Sequence, residues 1–129
     1  MLTEQTTEPP LDTLRPVASR AEVMQAIEDA KDVFVEDSLS RYVVALLRHT
    51  RANARLALGA SPRAGIALLR VAKARALAEG RDYVLPEDVQ AAAVPVLAHR
   101  LILAPEARSA GAEATEIVRE AVDGTPVPV

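Results

Sequence analysis

Residues 61–80 read SPRAGIALLRVAKARALAEG, and this stretch decides the fold. Ser61 is a good N-cap, because its hydroxyl can accept an otherwise unpaired backbone N–H. Pro62 behind it suits the first helical position, where the missing N–H costs nothing. Gly80 supplies the stop, so a helix is predicted from Pro62 to Glu79. Gly65, Leu68, Leu69, Ala72 and Ala76 are expected on its inner face, and several are small enough for close helix contact.

The same signals recur outward in both directions. Ser19 with Glu22 forms a capping box that opens a first helix over about 20–31, continued by Val23, Ile27 and Ala30. Leu39, Tyr42, Val43, Leu46 and Leu47 fall at helical spacing, with Arg41 and Arg48 on another face, and predict a second helix to about Arg51. Val33, Phe34 and Val35 favour extended structure, as do Tyr83 and Val84, so these two pieces are expected to pair. Pro86, followed by Glu87 and Asp88, starts a fourth helix through Val89 and Ala92, which Pro95 is expected to break or kink near Ala93. Asn53 to Gly59 is read as a connector, Leu101 to Leu103 as a short apolar run and Pro105 to Ala112 as a loop. A last helix is predicted over about 113–122 and stopped by Gly124. The expected fold is mainly all-α, a small bundle of four to five helices with at most a vestigial two-strand pairing. Residues 1–18, with Pro9, Pro10 and Pro16, read as a linker, and residues 19–129 as the helical domain.

Composition narrows the function classes. The 129 residues are half apolar, enough for one self-sufficient core. The aromatic residues are Phe34, Tyr42 and Tyr83, so Leu, Val, Ile and Ala must build that core. The chain lacks Cys, which excludes disulfides and thiolate metal sites and suits a reducing, cytoplasmic setting. No apolar run approaches the length of a membrane span, so no membrane partner is expected. His49 and His99 are too few and too far apart for a zinc site. His49 reads as a solvated helix-end residue, and His99 as a packed or surface residue near a helix end. The carboxylate pairs Glu28–Asp29, Glu36–Asp37 and Glu87–Asp88 diverge on a helix, which suits helix starts better than acid–base chemistry. Gly59 and Gly65 do not make a P-loop, because no Lys-Ser/Thr pair follows.

The net charge of −3 conceals three zones. Residues 38–100 carry ten basic and four acidic side chains, between acidic flanks. This basic segment admits an autonomous helical adaptor or weak nucleic-acid binder. The acidic flanks and the lack of stacking aromatics count against it, and no specific nucleic acid is expected. Arg63 stands out within the segment. Its predicted place at the second position of a helix puts a cation at the positive end of the macrodipole, unfavourable by about 0.3–1 kcal/mol unless an anion is near. The partner is either a phosphate, which a helix N-terminus already favours, or a carboxylate from the acidic zones.

In order and spacing, Gly59-Ala60-Ser61-Pro62-Arg63-Ala64, Gly80-Arg81-Asp82-Tyr83-Val84, Pro86-Glu87-Asp88-Val89 and Val96-Leu97-Ala98-His99-Arg100 resemble the C-terminal lid of MoxR-type AAA+ ATPases. Thr50-Arg51 is similar as well, while Leu85 departs from the Thr or Ser more usual before such a proline. The resemblance covers roughly Asp12 to Val129. It implies that Arg63 is the sensor 2 arginine contacting nucleotide phosphate, with Ser61 and Pro62 setting the helix start. It further implies a lid separated from its nucleotide-binding core, inactive alone. The parent would be a probable hexamer using ATP with Mg²⁺ for chaperone-like remodelling or maturation of partner complexes. The lid would contact the core and neighbouring subunits and hold no tightly bound cofactor. Arg51 reads as a helix-end surface residue or an interdomain contact.

Overall fold

The computed structural model describes residues 13–128. The first twelve residues of the expected linker, and Val129, lie outside the described residues. Among those described, the elements in chain order are α1 (Arg20–Asp32), α2 (Asp37–Ala52), β1 (Leu56–Leu58), α3 (Pro62–Ala78), α4 (Pro86–Leu97), a 3-10 turn (Ala98–Arg100), β2 (Ile102–Leu103), α5 (Pro105–Ser109) and α6 (Ala114–Asp123). The fold is mainly helical, as expected.

Local chemistry accounts for the helix boundaries. At α1 the Ser19 hydroxyl accepts from the Glu22 N–H and the Glu22 carboxylate accepts from the Ser19 N–H, at 3.2 and 2.6 Å. The Ser61 side chain accepts from the Ala64 N–H at the start of α3. Gly80 adopts φ +74° beyond its end, a conformation that costs L side chains energy. Leu85 offers α4 no cap of its own, and the Asp88 carboxylate instead accepts the Leu85 N–H at 2.9 Å.

The core forms where α3 meets α4 and α2, with α6 closing the other side against α4 and α2. Leu46, Leu68, Leu97, Ile117, Val89 and Val118 are its largest fully buried apolar side chains. Ala60, Ala64, Ala72, Ala76 and Ala93 are buried among them, which draws the backbones close. Gly65 marks the tightest approach to α2, where an added Cβ would sit 2.7 Å from Leu47 Cδ1. Leu69, expected inside, is only half-buried. α1 lies against α3 but contains no buried residue. It is anchored beyond its C-terminal end by buried Val33 and by the bridge between Phe34 and Tyr83. There the Phe34 N–H donates to Asp82 O at 2.8 Å and the Val84 N–H to Phe34 O at 3.0 Å.

Three expectations change. α4 runs through Pro95 to Leu97, so of the break or kink expected near Ala93 the break does not occur. Pro95 lies on the exposed face, so water can serve the carbonyl left without its donor, while Val96 and Leu97 stay in the core. The stretch read as the Asn53–Gly59 connector contains β1, which pairs antiparallel with β2 through Leu56–Leu103 and Leu58–Ile102. The stretch read as a Pro105–Ala112 loop begins with α5, opened by Pro105 and seating buried Ala107.

Candidate functional site

Ser61, Pro62 and Arg63 form the exposed start of α3. Arg63 occupies the second helical position. Its side chain has no ion pair or hydrogen-bond partner among the described residues, the described carboxylates of the acidic flanks included. Pro62 has no N–H and the Ala64 N–H is taken by Ser61, so the guanidinium shares this end of the helix, where the dipole is positive, with the free Arg63 N–H. That arrangement can receive one anionic oxygen group. It provides no base, nucleophile or metal ligand, and no cluster of three or more potential metal ligands occurs among the described residues.

Two residues at the end of α2 hold the chain that enters this helix. Thr50 is fully buried, and its hydroxyl donates to Leu47 O at 2.8 Å while accepting the Ala60 N–H at 3.0 Å. Arg51 lies on the surface and donates from Nε to Ala60 O at 2.8 Å. Both backbone polar groups of Ala60, next to the cap Ser61, are thus fastened to α2. Gly59 permits the approach, since an added Cβ would lie 2.7 Å from Arg51 Cα. A backbone atom cannot swing aside as a flexible side chain can, so a larger residue at 59 must move α2 or the connector. Sequence reasoning noticed Thr50 and Arg51 only through their resemblance to the family motif. A Thr–Arg pair ending one helix, with Gly-Ala before the next Ser-Pro, was the available signal.

Several other cations of the basic segment are engaged within the chain, whereas Arg41, Arg48, Arg70 and Arg100, like Arg63, have no ion pair or hydrogen-bond partner among the described residues. Arg81 makes a bidentate pair with buried Asp88, with both bonds at 2.8 Å, and also donates to Tyr83 O at 3.0 Å. Arg75 approaches the same carboxylate at 3.6 Å. The Arg81 guanidinium holds the Asp88 carboxyl below its usual range; burial opposes this, and the Leu85 N–H supports it. Arg55 pairs with Glu120. His49 is half-buried against Gly124 instead of fully solvated, because an added Cβ there would stand 2.7 Å from its ring. His99 is exposed in the 3-10 turn.

Fold and site together define a small helical domain that exposes an arginine at a capped helix start. The chain belongs to the AAA lid domain family, whose pattern matches residues 48–121. It is 40% identical over 120 residues to the uncharacterized protein YeaC of Bacillus subtilis, covering 93% of this chain and 38% of that protein. It is 37% identical over 100 residues to chaperone MoxR1 of Mycobacterium tuberculosis, covering 70% of this chain and 26% of the relative. A crystal structure described as a "putative ATPase" from Cytophaga hutchinsonii superposes with a TM-score of 0.82 at 33% identity, over 89% of this chain and 38% of that one. The chain therefore spans well under half the length of these relatives, and it is homologous to the lid of MoxR-family AAA+ ATPases. No helix among the described residues is long and apolar enough to cross a membrane.

Proposed function

We propose that this chain is the sensor 2 lid of a cytoplasmic MoxR-type AAA+ ATPase, converting nucleotide state into movement against a nucleotide-binding core that residues 1–18 join to the lid over 19–129. The single observation that carries this reading is the exposed guanidinium of Arg63 at the positive end of α3, unpaired among the described residues. In a chain whose acidic residues outnumber its basic ones, that cation keeps an unfavourable position without a counter-ion among the described residues. A nucleotide phosphate is the counter-ion the resemblance supplies, and a guanidinium suits it through planar bidentate bonding. Ser61 and Pro62 fix the helix start and so the direction from which Arg63 approaches. ATP with Mg²⁺ belongs to the core, which would provide the phosphate cradle and metal ligands absent here. Neighbouring subunits of a hexamer and a client protein complex complete the assembly, in which hydrolysis drives chaperone-like remodelling. The alternative of an adaptor or nucleic-acid binder built on residues 38–100 loses force because Arg51, Arg55, Arg75 and Arg81 are already engaged within the chain.

Arg63→Ala in the ATPase assembled from core and lid tests the proposal. Turnover should fall about a hundredfold with little change in KM for ATP, because the contact strengthens where charge develops during phosphoryl transfer. The melting temperature of the lid should stay level or rise slightly, since Ala is the better helix former. Unchanged turnover combined with a lower melting temperature would identify Arg63 as an ordinary structural residue.

A further inference from the structure

We infer that Thr50 and Arg51 are positioning residues for Arg63, acting through a two-point clamp on Ala60. This rests on the sensor reading above and adds to it the means by which the arginine is aimed. Arg63 is long and exposed, and no neighbour among the described residues fixes its side chain. Its direction therefore depends on the placement of the α3 start. Ser61 caps the helix from inside, but a cap only closes the first turn and does not locate that turn in the molecule. Location comes from Ala60, whose N–H is bound by the Thr50 hydroxyl and whose C=O is bound by the Arg51 Nε–H. The Thr50 hydroxyl is itself oriented by its bond to Leu47 O one turn back, inside the core. The Gly59 backbone lies directly on the Arg51 backbone, so the link has no slack. The end of α2 and the start of α3 consequently move as one body.

The two contacts differ in a way that separates aiming from folding. Thr50 is part of the core, whereas Arg51 is exposed and contributes one part-buried hydrogen bond, to the carbonyl of buried Ala60. Losing the Arg51 bond should leave the fold standing while loosening the helix start. Gln places its side-chain nitrogen at the same distance along the chain as the arginine Nε. Arg51→Gln thus keeps a donor for Ala60 O and removes the charge.

The test measures steady-state ATP hydrolysis by the assembled ATPase for Arg51→Ala, Arg51→Gln, Thr50→Val, Thr50→Ser, Arg63→Ala and the Arg51→Ala/Arg63→Ala double variant, with a thermal melt of each. Misplacement by about 1 Å can cost about a hundredfold in rate, so Arg51→Ala and Thr50→Val should lower kcat by about ten- to a hundredfold with KM for ATP within about twofold. Arg51→Gln and Thr50→Ser should recover most of that loss. The double variant should be no slower than Arg63→Ala, because a residue that works through Arg63 has nothing left to aim. Wild-type kcat in Arg51→Ala beside a crippled Arg63→Ala would overturn the clamp alone. So would an Arg51→Gln as slow as Arg51→Ala, or a further loss in the double variant, each of which makes Arg51 a charge acting on its own account. Wild-type turnover in Arg63→Ala would instead overturn the sensor reading, and the clamp's purpose with it.

Discussion

The starts of α3 and α4 follow the same local plan, with a proline at the first helical position after an extended residue, and they are electrically opposite. At α4 the first turn is acidic, which the helix dipole favours, and its Asp88 is buried, paired with Arg81 and bonded to the Leu85 N–H. At α3 the first turn carries a cation, the sign the dipole disfavours, and it has no partner among the described residues. One start is complete within the chain. The other is held firmly from outside the helix and left open at its tip. Fastening the base of a helix start and satisfying its tip are therefore separate tasks in this fold.

Four substitutions in the isolated lid would break or sharpen the contrast. The largest effect is expected at Leu46, fully buried on α2, where Leu46→Ala should cost about 2–5 kcal/mol by denaturant titration. Leu69→Ala should cost less, because that side chain is half-buried. A smaller cost for Leu46 than for Leu69 would mean that the α3 start rests on a different core from the one described. Asp88→Ala comes next, at about 1–3 kcal/mol from lost charged hydrogen bonds. Because the folded carboxyl is held below its usual range, its contribution is present above that range and fades as the pH falls through it. The gap in melting temperature between wild type and Asp88→Ala should therefore narrow on acidification; a constant gap would remove the ion pair from the account. Ser61→Ala should cost about 1 kcal/mol, the ordinary worth of an N-cap. A loss as large as that of Asp88→Ala would mean that the cap, and not the Ala60 clamp, locates α3.

What the sequence disclosed follows the distance over which each signal acts. Ser19–Glu22, Ser61–Pro62 and Pro86 work within one turn, and each opens a helix where it was expected. The pairing of Phe34 with Tyr83 was also legible, because β-favouring residues flank helix ends on both sides. The strands at Leu56–Leu58 and Ile102–Leu103 escaped because two or three residues carry too little alternation to announce a strand. Pro95 does not end α4, because whether a helix survives a proline depends on exposure, which the pattern of a single helix does not give. In the candidate site the place of Arg63 on its helix was readable, while the hold on Ala60 joins residues about ten apart across a turn and depended on the tertiary fold.

The open face of α1 has a consequence of its own. A helix of 13 residues is marginal in water by itself, and this one adds no buried side chain to offset the entropy of ordering it. Val23, Met24 and Ile27 remain about half exposed, so detaching the helix uncovers little that water does not already touch. Its attachments are concentrated at one end, in Val33, the Phe34 bridge and the Lys73 ammonium donating to Lys31 O. The opening free energy of the molecule is thus graded along the chain: α1 can fray from its N-terminal end as a separate cooperative unit while the bundle of α2, α3, α4 and α6 stays closed.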